Sequence, residues 1–222
     1  MFDLLISLKD YLINLPWLEL VAMLLALAYI VLAAQGSLWC WPAAFISTAL
    51  YTIIFYDVLL LMDSALNAYY LIMAVYGYWV WQKNMSVNGQ DGSSKNKTPL
   101  TIVSWSTKIH LKACLTLALI SLILGYVVAN YTPAAFPYLD TFTTVFAIFA
   151  TYLVTQKVLE NWLYWVVIDA VSIYLYIEKG LIPTTVLFAI YVVIAIYGYF
   201  KWQTIYKRSE IKQTKISDMV TG

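Results

Sequence analysis

One stretch of the sequence decides the fold, and it occurs twice. Residues 76–82 read Tyr-Gly-Tyr-Trp-Val-Trp-Gln, and residues 197–203 read Tyr-Gly-Tyr-Phe-Lys-Trp-Gln, an offset of 121 residues. The same offset produces five further matches without a gap: Trp41 with Trp162, Tyr70 with Tyr191, Glu19 with Asp140, Asp57 with Glu178, and Gln35 with Gln156. An aromatic-rich chain could match once by chance, but so many matches at one offset predict two related halves.

The segments around these motifs are long apolar runs. Of the 222 residues, 63% are hydrophobic and 11% charged, against about 45–50% and about 25% in soluble domains. About 20 apolar residues cross a bilayer core of about 30 Å as a helix. The runs predict seven transmembrane helices, near residues 16–34, 39–56, 60–81, 109–129, 139–157, 161–176 and 183–202.

An arrangement of three helices, one connecting helix and three more makes the two halves run in the same direction. This 3+1+3 parallel pseudo-repeat is a transporter architecture, with the substrate site between the halves. An old duplication without a transport role is the alternative. We divide the chain into an interfacial amphipathic segment (1–15), a first three-helix bundle (16–82), a cytoplasmic loop (83–108), a linker helix four with its turn (109–137), a second bundle (138–203) and a cytoplasmic tail (204–222).

The positive charges predict the orientation. If the N-terminus is placed outside, the outer side holds only Lys9 and Lys179, whereas the other eleven of the 13 Lys and Arg residues are cytoplasmic. Because cytoplasmic loops carry the excess of Lys and Arg, we expect the N-terminus outside and the C-terminus in the cytoplasm.

The residue pattern excludes several classes of function. It contains no metal cluster, nucleotide-binding loop or nucleophile constellation, and His110 is the only histidine. We therefore expect no enzyme, no catalytic residue, no metal and no cofactor. The net charge of +1 argues neither for nor against nucleic acid, and no nucleic-acid partner is expected. No ion-coupling constellation is visible, which favours a uniporter.

The sixth predicted helix carries the candidate site. By helical spacing, one face of it carries Trp162, Trp165, Asp169, Ser172 and Tyr176. A carboxylate within a spanning helix is costly and marks a functional site by default. Together with indole rings it suits a flat organic cation. The alternatives are an interfacial tryptophan belt and a helix–helix hydrogen bond for Asp169.

Other polar and aromatic residues complete the candidate set. The polar groups of the first half have helix–helix hydrogen bonds as their alternative role. The full set of candidate substrate-binding residues is Asn161, Trp162, Trp165, Asp169, Ser172, Ser47, Tyr51, Asn67, Tyr70 and Tyr191.

From about residue 17 to 203 the sequence resembles the PnuC family of bacterial vitamin transporters. The resemblance rests on Trp41-Pro42, residues 76–81, Asp140, residues 160–165 (Glu-Asn-Trp-Leu-Tyr-Trp) and Lys179-Gly180. It implies a fold related to the SWEET sugar transporters, a homotrimer and a multi-pass protein of the bacterial inner membrane. It also implies facilitated diffusion of an unphosphorylated vitamin, which a cytoplasmic kinase then traps.

The identity of the vitamin depends on a few positions. Nicotinamide riboside transporters of the family tend to carry Gln at the position of Asn67, often Asn at that of Ala74, and sometimes Asn at that of Asp169. The spacing of Trp165 and Asp169, with residues 69–72 and 179–184, is more similar to the thiamine branch, PnuT. We therefore expect a thiamine transporter. Nicotinamide riboside is the alternative substrate, and a structural membrane subunit without transport is the alternative of another class.

Overall fold

The computed structural model describes residues 17–57, 61–87 and 101–221, in which all seven regular elements are helices. The prediction of an all-helical chain is therefore confirmed, while the predicted amphipathic segment 1–15 lies outside the described residues. In chain order the helices are α1 (Trp17–Ala34), α2 (Cys40–Asp57), α3 (Leu61–Val87), α4 (Thr107–Tyr131), α5 (Pro137–Thr155), α6 (Asn161–Glu178) and α7 (Ile182–Thr221).

Four stretches of the described residues are long and apolar enough to cross a membrane. They are α1, α4, α5 and the Thr184–Ile211 part of α7. The helices α2, α3 and α6 also have 18 or more residues, but tyrosine, tryptophan and polar side chains lower their hydropathy. The site residues lie mainly on these three less apolar helices.

The helices α1 and α5 end in the same way. Gly36, after α1, has φ +71°, and Lys157, after α5, has φ +53°. In each turn this residue donates its N–H to a carbonyl three residues back, and the next residue donates to one five residues back. Both turns are thus Schellman caps, and they lie 121 residues apart, as the repeat predicts.

The contacts between helices also repeat between the two halves of the chain. We call α1–α3 the first triplet and α5–α7 the second; within each, neighbouring helices pack on one another. The triplets meet through α1 against α7 and through α3 against α5. Exchanging each helix for its equivalent in the other triplet, α1 for α5 and α7 for α3, converts one contact into the other, so they are equivalent. The remaining helix, α4, packs on α5.

In each triplet a tryptophan ring packs directly on a glycine. A Cβ added to Gly77 would lie 2.3 Å from the ring of Trp41, and one added to Gly198 would lie 2.7 Å from the ring of Trp162. The glycines of the repeated Tyr-Gly-Tyr motif therefore let these rings approach the backbone. Trp41 also meets Trp81 edge to face at 5.2 Å between ring centroids.

Trp162 meets Trp202 in the same geometry at 5.4 Å within the second triplet, and a contact between Trp81 and Trp202 joins the two triplets at one end of the bundle. The ring centroids of Trp81 and Trp202 lie 6.3 Å apart. The indole N–H of Trp81 donates to the carbonyl oxygen of Thr155, and that of Trp202 donates to Ala33, both at 3.1 Å. Trp41, Trp81, Trp162 and Trp202 form one buried unit, the tryptophan cluster.

Two helices run beyond their predicted ends. The third was expected to end near residue 81 and the seventh near 202, but α3 continues to Val87 and α7 to Thr221. The drop in hydropathy marks where a helix leaves apolar surroundings, whereas the Lys, Arg, Gln and Glu that follow are good helix formers. The predicted cytoplasmic tail is therefore largely helical within the described residues.

The end of the predicted loop 83–108 is ordered against the second triplet. Val103 donates its N–H to the carbonyl oxygen of Lys157 at 3.1 Å, and Leu159 donates to that of Val103 at 2.8 Å. This parallel bridge attaches the entry of α4 to the turn between α5 and α6.

Candidate functional site

Asp169 is the central residue of the candidate site. Its side chain, on α6, is only 4% exposed, and no hydrogen bond or salt bridge joins it to another residue among those that the structure describes. A buried carboxylate without a partner is costly. A cationic ligand would remove this cost, so the site chemically suits a positively charged guest.

Tyrosines of both triplets lie within electrostatic range of the carboxylate. They are Tyr70 on α3 and Tyr191 on α7. Tyr51 on α2 interacts in the same way with Tyr191. Since Tyr70 and Tyr191 are equivalent in the repeat, the structure brings matching positions of the two triplets to one carboxylate. Phenols supply a flat apolar wall with polar edges.

The two candidate tryptophans of α6 have different surroundings. Trp165, one turn before Asp169, is partly buried and packs against buried residues around the tryptophan cluster and against a second buried group, mainly on α5 and α6. Trp162 is 3% exposed, packs on Gly198 and Trp202, and has no hydrogen-bond partner for its indole N–H among the described residues. Trp165 is therefore the indole that is better placed to stack on a ligand near Asp169.

The remaining polar candidates are mostly bound to backbone carbonyls. Ser47 donates its hydroxyl to Ala22 on α1 at 2.8 Å, and Asn67 donates its amide to Asp63 on its own helix at 2.9 Å. The Ser47 bond joins two helices, as the alternative role would, whereas the Asn67 bond stays within α3. The buried Asn161 donates to Val158 at 2.6 Å, and Ser172 is also buried.

Glu160, the first residue of the quoted motif, contacts the entry of α4. Its carboxylate accepts hydrogen bonds from the Ser104 hydroxyl and from the backbone N–H of Trp105. The Nε2 atom of His110 is 3.4 Å from it, an ion-pair distance rather than a well-aligned hydrogen bond. The Nδ1 atom of His110 is 3.0 Å from the Tyr164 hydroxyl. Glu160 and His110 thus hold the linker helix against the second triplet.

Charged residues also meet at the opposite end of the bundle, outside the candidate set. Lys179 Nζ lies 3.4 Å from an Asp140 carboxylate oxygen, and the two side chains are 34% and 39% exposed. Asp63 of α3 lies within electrostatic range of both. An ion pair this exposed contributes about 0–1 kcal/mol, so it is not a major source of stability.

Sequence reasoning missed Lys157, which lies buried between the triplets. Its Nζ atom lies 3.7 Å from the ring centroid of Trp81. The repeat could have pointed to it, because the offset of 121 aligns this lysine with Gly36.

No group of three or more His, Cys, Asp or Glu residues suited to a metal ion occurs within the described ranges.

Comparison with known proteins places this arrangement in a family. Residues 16–204 match the family model described as nicotinamide mononucleotide transporter. The nicotinamide riboside transporter PnuC of Escherichia coli is 24% identical, with 85% of this chain and 86% of that protein covered. The riboflavin/roseoflavin transporter RibM of Streptomyces davaonensis is 25% identical, with 84% of each covered.

A solved structure has the same fold. The crystal structure of the vitamin B3 transporter PnuC superposes with a TM-score of 0.71 at 22% sequence identity, covering 92% of this chain and 90% of that one. The family model accounts for nearly all of the described helical residues. The chain therefore belongs to the nicotinamide mononucleotide transporter family, which contains the PnuC transporters.

Proposed function

We propose that the protein carries an unphosphorylated cationic B vitamin across the membrane by facilitated diffusion, and that the vitamin is nicotinamide riboside. The observation that carries this proposal is Asp169, a buried carboxylate with no hydrogen bond or salt bridge among the described residues and with tyrosines of both triplets in electrostatic range. The positive nicotinamide ring would neutralise the carboxylate and stack on Trp165.

The proposed vitamin, nicotinamide riboside, differs from thiamine, which the sequence alone predicted. None of the relatives named above is a thiamine transporter, whereas PnuC of Escherichia coli is named for nicotinamide riboside. Asp169 and the aromatic rings suit the cationic ring of thiamine equally well, so thiamine is the competing ligand in the test below. Riboflavin, the vitamin in the name of the second relative, carries no positive ring and lacks this complementarity.

The architecture that we propose is the 3+1+3 arrangement of SWEET-like transporters. Support comes from the two Schellman caps, the two tryptophan–glycine contacts and the two triplet contacts, all of which repeat at one offset. The bundles would comprise residues 16–82 and 138–203, and all seven helices would cross the bacterial inner membrane. The biased Lys and Arg distribution supports an external N-terminus and a cytoplasmic C-terminus.

Two features of the proposal rest on family resemblance. One is a homotrimeric assembly, and the other is functional coupling to a cytoplasmic vitamin kinase that traps the transported molecule. Such trapping would give net uptake without ion coupling, because phosphorylation keeps the internal concentration of free vitamin low.

Ligand titration of the purified protein tests the proposed substrate. We expect saturable binding of nicotinamide riboside, weaker binding of its phosphorylated form and little binding of riboflavin. Tighter binding of thiamine than of nicotinamide riboside would restore the sequence-based assignment. Absence of binding for all four ligands would favour a structural membrane subunit.

A further inference from the structure

Lys157 occupies a backbone position that favours glycine. With φ +53° it ends α5 in the conformation that Gly36, with φ +71°, gives to the equivalent turn after α1. Side chains with a Cβ are strained in this region of backbone space. The chain therefore tolerates a lysine where its own repeat shows that glycine fits.

The lysine side chain crosses from the second triplet to the first. It is 4% exposed, and its Nζ atom lies 3.7 Å from the ring centroid of Trp81 and 3.9 Å from the point where a Cβ on Gly36 would lie. Among the described residues no salt bridge involves it. The lysine is thus largely buried at the junction of the triplets, and an aromatic face is the main contact of its ammonium.

Burial of the lysine stabilises the junction only if its aromatic contact outweighs the loss of hydration of its ammonium. Contact with an aromatic face is worth about 2- to 30-fold in an equilibrium constant. Desolvation outweighs it, because an ammonium that loses its hydration and gains no carboxylate partner is strongly disfavoured. The net effect of Lys157 is to destabilise the closed junction.

The other contacts at this junction stabilise it. Four tryptophans pack together, and two repeat-related indole N–H bonds, from Trp81 and Trp202, join the triplets. Lys157 has no equivalent in the first triplet, where Gly36 occupies its position. A transporter must open this end once per cycle, which requires closed and open states of similar free energy.

We propose that Lys157 is a positioning residue that keeps the tryptophan-closed end of the bundle easy to open, because its ammonium is desolvated in the closed state and hydrated in the open state. The inference rests on the proposed transport function and assigns this end to the cytoplasmic gate. Removing the charge should therefore make the gate more stable and slower to open.

Cys40 is a native reporter of gate opening. It is fully buried at the start of α2, beside the tryptophan cluster and in electrostatic range of Lys157. Cys114 is the only other cysteine, so Cys114→Ala leaves Cys40 as the single thiol. Its alkylation by a membrane-impermeant maleimide, applied in inside-out vesicles, reports opening of the cytoplasmic end. The rates are compared over a range of pH, because loss of the Lys157 charge also changes the thiolate fraction of Cys40.

Four variants in the Cys114→Ala background test the inference. Lys157→Met and Lys157→Gly should slow alkylation of Cys40 by at least about tenfold, and raise the unfolding temperature of the purified protein. Lys157→Arg keeps the charge and should stay within about threefold of the parent. The matched control is Lys83→Met, because the exposed Lys83 Nζ lies over Trp79 at 5.2 Å within one helix; it should change neither quantity.

The inference requires that removing the Lys157 charge slows Cys40 alkylation and raises the unfolding temperature. Faster alkylation, a lower unfolding temperature or loss of folded protein in both Lys157→Met and Lys157→Gly would make Lys157 a stabilising contact and overturn the inference. Unchanged alkylation would overturn it as well. The assay contains no vitamin. If Cys40 alkylation slows as expected but the protein takes up no nicotinamide riboside, the proposed substrate is refuted and the role of Lys157 stands.

Discussion

Replacing Asp169 by asparagine tests whether charge or shape governs recognition at the centre of the molecule. The amide keeps the size of the side chain and one acceptor oxygen but removes the negative charge. At an effective dielectric constant of about 20 and a separation of about 4 Å, the lost Coulomb energy is about 4 kcal/mol. This is an upper limit, equal to about a thousandfold in affinity, because the cation must also be desolvated.

We therefore expect Asp169→Asn to weaken nicotinamide riboside binding by about tenfold to a thousandfold, measured by calorimetric titration of the purified protein. Reduced dihydronicotinamide riboside has nearly the same shape but no charge on its ring. Its affinity should fall less than about threefold, because it never made the charge interaction.

The control is Asp140→Asn, the same chemical change at a carboxylate that is 39% exposed. It should leave the affinity of both ligands unchanged. Equal losses for the charged and the neutral ligand in Asp169→Asn would refute the reasoning and identify Asp169 as a hydrogen-bonding partner.

Three further predictions follow from the same structure. Trp165→Ala should weaken nicotinamide riboside binding from a few-fold to about thirtyfold while leaving an extractable, folded protein; wild-type affinity in the titration would make Trp165 a packing residue. Gly77→Ala and Gly198→Ala would each force a Cβ into a tryptophan ring. Each should destabilise the protein by about 1–3 kcal/mol, measured as a lower unfolding temperature. An unchanged unfolding temperature would contradict the close packing of the rings on these glycines. In a cysteine-free background, an impermeant maleimide should label Lys179→Cys but not Ser94→Cys in intact right-side-out cells, and the reverse pattern would invert the orientation.

Periodicity and the repeat predicted much of the fold. One offset anticipated that Trp41 and Trp162 have the same surroundings, and the glycines of the repeated motif proved to be the surfaces on which the rings lie. The offset was informative because equivalent residues must satisfy the same packing in both triplets. Helix ends in polar sequence, such as that of α7 at Thr221, were missed because loss of hydropathy does not end a helix.

The site was harder to predict than the fold. The pattern on α6 singled out Asp169 correctly as a buried carboxylate, because its neighbours along the helix are apolar. Spacing placed Trp162 and Trp165 on one face and both entered the candidate set, since the packing of Trp162 on Gly198 of α7 is not encoded in the pattern of α6. Lys157 was overlooked because its burial arises from contacts between the triplets, which no local pattern encodes.

Uptake into proteoliposomes tests the central claim most directly. Vesicles containing the purified protein, with nicotinamide riboside kinase and ATP inside, should accumulate phosphorylated nicotinamide riboside. Vesicles without the kinase should fill only to the external concentration. No uptake above that of protein-free vesicles would contradict transport of this vitamin, and accumulation above the external concentration without kinase would contradict facilitated diffusion.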